Sequence, residues 1–252
     1  MDLVNDNVVL LAGVTGRIGG APLATFVREG ARVGVISRER ARAQAKIDEM
    51  LAPAERERTL AIGADLNDPA SCAAAVAACV KAFGRLDALV NLAGAGWRRK
   101  PMTEATLDDL RETLAEVVET AYNISQAALH AMLAQAYRDG ARSRGRIVTV
   151  TATSAHSPNP NFSAYTTAKA GVNALMLAIA REYRTQGIVA NALLSGGVAF
   201  PGAGHFRSEE HRAAAVQPDE IADALVFLAS DACSGINGAL IDITGRIVER
   251  GS

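Results

Sequence analysis

Aromatic residues are scarce in this chain: they make up 4% of its 252 residues, whereas hydrophobic residues make up 49%. The core must therefore be built mainly from Ala, Val, Leu and Ile, a composition that suits a buried parallel sheet covered by Ala-rich helices. The length lies at the upper end of single-domain size, so we expect one domain over residues 1–252.

An excess of either charge is also lacking, because 26 Lys and Arg residues face 27 Asp and Glu residues. No overall field favours nucleic acid or an anionic membrane surface, and a small molecule is the expected partner. No apolar segment reaches the roughly 18 residues of a membrane span, and no basic region precedes the first apolar run. We therefore expect a cytoplasmic protein.

Cysteine is rare as well. Cys72, Cys79 and Cys233 lack any CxxC spacing, and the first two lie in an Ala-rich stretch. They are interpreted as small core hydrophobes without a metal or redox role, and no metal site is predicted.

Short apolar runs alternate with helical patterns along the chain. Seven strands are predicted, at Val8–Leu11, Arg32–Ile36, Thr59–Ile62, Ala88–Leu92, Arg146–Thr151, Ile188–Leu193 and Ala239–Ile243. Helices are predicted from the first Gly-rich turn to about Glu29 and at Pro69–Phe83, Leu107–Tyr137, Ser163–Thr185 and Pro218–Ser230.

Strands that are apolar on both faces and separated by helices indicate parallel pairing with helices on both sides. The predicted fold is a doubly wound, seven-stranded parallel α/β sheet of the Rossmann type. One long irregular stretch, residues 195–217, is rich in Gly and contains Phe200 and Phe206, and we predict that it is a substrate loop.

A Gly-rich turn follows the first strand, with Gly13, Gly16 and Gly19 spaced by threes. Glycine permits a tight turn and close approach to a pyrophosphate, and the free N–H groups of a helix start favour negative charge. With a strand before it and a helix and second strand after it, the turn predicts dinucleotide binding rather than a plain loop and helix cap.

The second strand ends in Ser37 and Arg38, where an NAD site commonly carries an acidic residue. A hydroxyl beside a guanidinium suits a 2′-phosphate, and Arg17 in the glycine turn is a second candidate for that group. These residues favour NADP(H). The alternative is that Arg38, Arg40 and Arg42 form a solvated helix start.

Tyr165 and Lys169 have the i, i+4 spacing that places two side chains on one face of a helix. A neighbouring ammonium lowers the pKa of a phenol from about 10 and so allows proton exchange nearer neutrality. The pair suits proton transfer to a carbonyl oxygen during hydride transfer, or from an alcohol in reverse. A surface helix pair is the alternative.

Taken together, these motifs resemble the short-chain dehydrogenase/reductase family over essentially the whole chain. Asp65–Leu66 is similar to the pair beside the adenine, Asn91–Leu92–Ala93–Gly94 resembles the signature after the fourth strand, and Ser195–Gly196–Gly197–Val198 resembles the Pro-Gly segment that meets the nicotinamide. The resemblance implies catalysis by Tyr165 and Lys169, with Lys169 also holding the nicotinamide ribose. It implies cofactor contacts from Gly13, Thr15, Gly16, Arg17, Ile18, Gly19, Ser37, Arg38, Asp65, Leu66, Asn91, Ala93, Gly94, Tyr165, Lys169, Gly196 and Val198.

The sequence departs from the family pattern at several positions. The usual catalytic serine, thirteen residues before the tyrosine, is Ala152, and the usual helix asparagine is Val117. Arg17 stands where the middle glycine usually falls, and Phe200 replaces a threonine. If the fifth strand stays extended, alternation places Ser154 on the face of Ala152 and makes it the best substitute for the missing hydroxyl.

The loops after strands four, five and six are expected to form the substrate pocket. Trp97–Arg98–Arg99–Lys100 suggests an anionic or carrier-tethered substrate, or else a solvated basic loop, and His156 is a candidate donor or a surface residue.

Three functions stay open: an NADPH-dependent carbonyl reductase, a cofactor-binding protein without turnover, and a non-redox enzyme that retains NADP. The resemblance also implies a homo-oligomer, a dimer or a tetramer.

Overall fold

The computed structural model describes residues 3–94, 98–200, 202–203, 206 and 208–246. Seven strands form one sheet in the order β3-β2-β1-β4-β5-β6-β7, with every pair parallel. The strands are β1 (Val8–Ala12), β2 (Arg32–Ser37), β3 (Thr59–Gly63), β4 (Ala88–Asn91), β5 (Gly145–Ala152), β6 (Ile188–Ser195) and β7 (Leu240–Ile243).

Helices connect these strands. They are α1 (Gly20–Arg28), α2 (Arg40–Met50), α3 (Pro53–Arg56), α4 (Pro69–Phe83), α5 (Leu107–Leu114), α6 (Thr120–Ala134), α7 (Ser163–Tyr183), α8 (Glu209–Ala214) and α9 (Pro218–Leu228). In the part of the chain that the structure describes, no helix has both the length and the apolar character to cross a membrane.

Two apolar layers sandwich the sheet. On one face α1 and α9 contribute Phe26 and Leu225, and on the other α4, α6 and α7 contribute Cys79, Ile124 and Met176. This arrangement confirms the predicted doubly wound fold. Every residue of β1, β4 and β6 is buried, as expected for strands covered on both faces.

The three cysteines are buried, as predicted. Removal of water around the thiols raises the pKa of Cys72 to about 11 and that of Cys79 to about 12. Both thiols are therefore protonated at neutral pH and behave as small apolar groups.

The structure differs from the sequence expectation in several elements, among them α2 and α3, which the sequence did not predict. The helix predicted over Leu107–Tyr137 is divided by a π-helical segment at Ala115–Glu119 and ends at Ala134. The edge strand β7 is half exposed rather than buried on both faces. The stretch 195–217 contains α8 and a parallel bridge between Val198 and Val216, so it is less irregular than expected.

The sheet order reverses between β1 and β4, which are neighbours although β2 and β3 lie between them in sequence. Crossovers run in opposite directions from such a point and leave a crevice at the carboxyl ends of the strands. The turns after β1, β2 and β4 therefore meet at one edge, beside the start of α7.

Asp87 lies at the opposite edge of the sheet, where the strands begin, and its hydrogen bonds stabilise that edge. Its buried carboxylate accepts hydrogen bonds from the Val8 backbone N–H at 2.9 Å and from Arg85 Nε at 2.7 Å. Replacing Asp87 by Ala leaves both donors without their acceptor. The substitution is therefore expected to lower the free energy of unfolding by about 2–4 kcal/mol, which urea denaturation measures.

Asp108 provides the matched control, because its carboxylate is exposed and its one ion pair within the described residues is with Arg111 on the same helix. Asp108→Ala is expected to change the free energy of unfolding by less than about 0.5 kcal/mol. Equal losses in the two variants would contradict a specific role for Asp87.

Candidate active site

The glycine turn has the shape that close approach of a ligand requires. Gly13 has φ +83°, and a β-carbon there would lie 2.5 Å from the Ala93 backbone nitrogen. A β-carbon on Gly19 would overlap the Val14 backbone, and the Gly16 N–H closes the turn on the Gly13 carbonyl at 3.1 Å. Thr15, Gly16 and Arg17 lie exposed on the turn, Ile18 is half-buried, and the start of α1 follows.

The segment after β4 packs against this turn. The Asn91 carbonyl oxygen Oδ1 accepts a hydrogen bond from the Ala93 N–H at 2.9 Å and holds the segment in place. Asn91 Nδ2 is buried and has no partner among the described residues. A buried donor next to a turn shaped for a pyrophosphate fits a bound dinucleotide.

The ends of β2 and β3 lie next along the same edge. Ser37 is buried at the end of β2, and Arg38 is exposed and forms no ion pair within the described ranges. Asp65 and Leu66 follow β3, where the Asp65 carboxylate accepts the Asn67 N–H and the Leu66 carbonyl accepts Asn123 Nδ2 at 3.0 Å. The pair is thus held by α6, a contact that the sequence motif did not indicate.

Arg17 makes a contact that was not expected. Its guanidinium carbon lies 4.9 Å from the centre of the Phe200 ring, which is within the range of a cation–π interaction. The glycine turn and the segment after β6 therefore meet through these two side chains. In this conformation Arg17 is engaged with Phe200, which leaves Arg38 as the better placed candidate for a 2′-phosphate.

Tyr165 and Lys169 lie buried near the start of α7 on one face of the helix. Lys169 Nζ lies 5.7 Å from the centre of the Tyr165 ring and donates a hydrogen bond to the Val150 carbonyl at 3.4 Å. Burial lowers the pKa of Lys169 to about 8. The pair is therefore an interior pair of titratable groups and not a solvated surface pair.

Asn173 is a site neighbour that sequence reasoning missed. It lies one turn beyond Lys169 on the same face of α7, and its side-chain oxygen accepts the Thr151 hydroxyl at 2.8 Å. This buried bond fastens the end of β5 to α7 next to the pair. The i, i+4 spacing from Lys169 is the signal that points to it.

The fifth strand ends at Ala152 and does not stay extended, since Thr153–Ala155 form a 3₁₀ turn. The strand-alternation argument for Ser154 therefore fails, although Thr151 does point away from Ala152, toward α7. Ser154 is nevertheless buried in this turn, which packs against α7, and its hydroxyl has no partner among the described residues.

The segment after β6 is fixed by backbone hydrogen bonds. The Gly196 N–H donates to the Ile243 carbonyl at 2.9 Å, and Val198 is buried and bridged to Val216. Ser195 lies beside Ala152 in the β5–β6 register, and its hydroxyl donates to the Gly196 carbonyl. The predicted cofactor residues thus lie at or just after the carboxyl ends of strands, or near the start of α7.

The basic cluster expected to hold an anion is largely neutralised. Arg98 makes a two-bond ion pair with Glu116, at 2.9 and 3.1 Å, and Lys100 donates to Asp109 at 2.7 Å, which lowers the pKa of that carboxyl to about 2. Arg99 lies over the Phe162 ring at 5.2 Å. Trp97 lies outside the described residues. Arg98 and Lys100 thus already pair with carboxylates, which a substrate anion would have to replace, and the anionic substrate stays a prediction.

His156 was a candidate donor to the substrate. Its Nε2 atom lies 2.9 Å from the Asp242 carboxylate on β7, and both side chains are about half exposed. The ring therefore has a protein partner and ties the loop after β5 to the sheet edge. Within the described ranges, no group of three His, Cys, Asp or Glu residues is arranged to hold a metal ion.

The geometry agrees with what comparison with known proteins shows. The family model described as short chain dehydrogenase matches residues 7–211. The chain belongs to the short-chain dehydrogenase family.

Relatives and solved structures support this membership over nearly the whole chain. An A-factor type γ-butyrolactone 1′-reductase of Streptomyces virginiae is 31% identical over 96% of both chains. A D-threitol dehydrogenase of Mycolicibacterium smegmatis is 31% identical over 96% of this chain and 93% of the relative. The structure of a 3-ketoacyl-(acyl-carrier-protein) reductase from Brucella melitensis, complexed with NADH, has a TM-score of 0.84 and 26% identity, with coverage of 96% and 98%.

In this short-chain dehydrogenase the π-helical segment lies beside the segment after β4. Val117 lies in this π-helical segment and is buried. Gly94 lies against it, because a β-carbon on Gly94 would be 3.2 Å from the Val117 α-carbon. Such segments are frequent at functional sites. The assignment of Val117 to the family's asparagine position stays a prediction.

Proposed function

We propose that this short-chain dehydrogenase is an NADP(H)-dependent oxidoreductase that reduces a ketone or aldehyde of a small molecule, or oxidises the alcohol. The observation that carries the proposal is the buried Tyr165–Lys169 pair near the start of α7. Relatives named as a butyrolactone reductase and a threitol dehydrogenase support it, because both names describe interconversion of a carbonyl and an alcohol.

The proposed site residues have distinct roles. Gly13, Gly19 and Asn91 would hold the dinucleotide, which supplies a hydride at carbon when bound. Tyr165 gives its phenolic proton to the carbonyl oxygen, and the Lys169 ammonium stabilises the phenolate that remains. Ser154 donates a hydrogen bond to the same oxygen.

Steady oxidation of NADPH with a panel of ketones and aldehydes tests the proposal. Turnover with at least one carbonyl compound, and formation of the matching alcohol, are expected. Product formation without net loss of NADPH would contradict it and indicate an isomerase or dehydratase. The substrate loop at 195–217 and a homo-oligomeric state remain part of the proposal, and sizing in solution tests the latter.

A second candidate function is cofactor binding without turnover, as in a partner subunit or scaffold. Ala152 and Val117 favour it, since two polar groups of the family's usual set are absent. One similar protein comes from Xanthobacter autotrophicus and is named an inactive 2-(S)-hydroxypropyl-CoM dehydrogenase 2. It is 32% identical over 87% of this chain. Tight NADPH binding without turnover across the panel would favour this second function.

Arg38 is expected to set the cofactor preference. Its exposed guanidinium at the end of β2 has no ion pair in the described ranges and suits a 2′-phosphate. Arg38→Ala is expected to raise the Kd of NADPH by about 10- to 100-fold and to leave that of NADH nearly unchanged. Calorimetric titration measures both. Arg42→Ala, one turn further along α2, is the control, and an equal effect there would point to general charge.

The activity is expected to fall at alkaline pH because of Lys169. Its pKa is about 8 in the folded protein instead of 10.5, since burial disfavours the ammonium. The charged form that assists Tyr165 is therefore lost above about pH 8, and kcat/KM for reduction is expected to decline tenfold per pH unit beyond it. A pH profile from 6 to 10 measures this, and a decline that begins only near 10 would contradict it.

Stability provides the control for this pH profile. Between pH 8 and 10.5 the unfolded chain binds more protons at this lysine than the folded chain does. The contribution of Lys169 to the free energy of unfolding therefore rises with pH over this window. Loss of activity without a matching loss of stability separates titration of the site from alkaline unfolding.

A further inference from the structure

A cavity of about 500 Å³ opens at the amino ends of β5 and β6, on the edge of the sheet opposite Tyr165. Its walls come from the residues just before β5, the last turns of α7, the start of β6 and the turn before β7. Because β6 is eight residues long, roughly 25 Å of strand at about 3.3 Å per residue separates this cavity from the candidate active site.

Three arginines from two parts of the chain line the cavity. Arg181 lies in the last turn of α7, Arg184 follows that helix, and Arg142 precedes β5. All three are exposed and form no ion pair in the part of the chain that the structure describes, and none of the described lining residues is acidic. Three arginines thus line one cavity, and the Asp231 carboxylate, which accepts the Arg142 backbone N–H at 3.3 Å, pairs with Arg146.

Two neighbouring arginines, in contrast, have protein partners for their guanidinium groups. Arg144 lies over the Tyr137 ring and donates to the Leu133 carbonyl, and buried Arg146 pairs with Asp231. Asp231, the carboxylate nearest in sequence to the turn before β7, is therefore already engaged. Cations near the carboxyl end of a helix stabilise it, because the helix dipole is negative there. This role accounts for Arg181 and Arg184 at the end of α7 but not for Arg142.

The wall of the cavity supplies two further polar features. Ser143 lines it, and the buried Ser143 hydroxyl has no partner among the described residues. Asn237 is fixed by its own bonds, since its oxygen accepts the Ala190 N–H at 2.9 Å and its nitrogen donates to the Ile188 carbonyl. The site thus combines three guanidinium groups that form no ion pair in the described ranges with a wall that these hydrogen bonds hold in place.

We propose that this cavity is a second, non-catalytic binding site for a small polyanion that carries two phosphate groups or several carboxylates. Guanidinium groups recognise both kinds of anion by paired N–H bonds, and a cavity of this volume suits a small ligand. The site uses no residue of the proposed reductase site, so its test does not depend on that activity.

Calorimetric titration with pyrophosphate and with citrate tests the site, with the full chain held at saturating NADPH so that the glycine turn is occupied. One binding event per chain is expected for at least one of the two probes. The double variant Arg142→Gln/Arg184→Gln is expected to weaken that binding by about tenfold or more. Arg111→Gln, an exposed arginine on α5, is expected to change nothing.

Several results would overturn the proposal. They are absence of binding at millimolar pyrophosphate and citrate, equal affinity in the double variant, and an equal loss in Arg111→Gln. Binding of a poly-glutamate peptide without binding of either small probe would also overturn it and indicate a protein partner. Unchanged circular dichroism and an unchanged unfolding midpoint show that the double variant is folded, so a loss of binding is then assigned to the arginines.

Discussion

Replacing Tyr165 by Phe is expected to lower kcat for carbonyl reduction by about 10²- to 10⁴-fold, because it removes the phenolic hydroxyl that supplies the proton. Tyr165 is buried, with Lys169 Nζ 5.7 Å from its ring centre and the Phe162 ring edge-on at 5.9 Å. Phenylalanine keeps the ring and both packing contacts. NADPH oxidation by the variant measures kcat, and calorimetry is expected to show a Kd for NADPH close to that of the wild type.

Tyr122→Phe serves as the matched control, because Tyr122 is a half-exposed tyrosine on α6. It is expected to retain full activity. Turnover by Tyr165→Phe within a factor of a few of the wild type would show that another group supplies the proton. A wild-type protein that binds NADPH but turns over no carbonyl compound would instead support the cofactor-binding function without turnover.

The fold was predictable because the inner strands of this parallel sheet are buried on both faces, and each therefore has a short apolar sequence of its own. Helix α2 lacks such a signal, since only Ala43 and Ile47 of its eleven residues are buried, and the sequence prediction omitted it. The π-helical segment at Ala115–Glu119 was missed for a different reason. Apolar periodicity hardly changes when a helix widens over five residues.

The shape of the glycine turn was predictable because the requirement is local: Gly13 has a positive φ, which favours glycine. The charges of the loop after β4 depend instead on which side chains pair in the folded chain. Neither the pairing of Arg98 with Glu116 nor that of Lys100 with Asp109 follows from spacing, so a basic tetrapeptide looked free when two of its charges were already compensated.

The turn that follows Ala152 could not be predicted from the alternation of residues along the strand. Alternation holds while a strand is extended, and β5 ends at this residue, so the position of Ser154 required the structure. The Ser154 hydroxyl is one of several buried hydroxyl groups that have no partner among the described residues. A buried hydroxyl without a partner reduces stability, and a catalytic role is one explanation for its presence.

Ser154→Ala is therefore expected to separate activity from stability. Loss of a hydrogen-bond donor to the carbonyl oxygen is expected to lower kcat by about 10²- to 10³-fold. The free energy of unfolding is expected to stay level or to rise, because no hydrogen bond within the described protein is lost and a buried polar group is removed. NADPH oxidation and urea denaturation measure the two quantities.

Three further variants test whether the loss of kcat in Ser154→Ala depends on the position of the hydroxyl group. Ser157→Ala alters an exposed serine of the same loop and is expected to have full activity. Ser195→Ala removes the hydroxyl that lies beside Ala152 in register, and a larger loss there than in Ser154→Ala would transfer the donor role to Ser195. Ala152→Ser in the Ser154→Ala background returns a hydroxyl to the family's usual position. Recovery of turnover is expected, because the donor that polarises the carbonyl oxygen is then restored beside Tyr165.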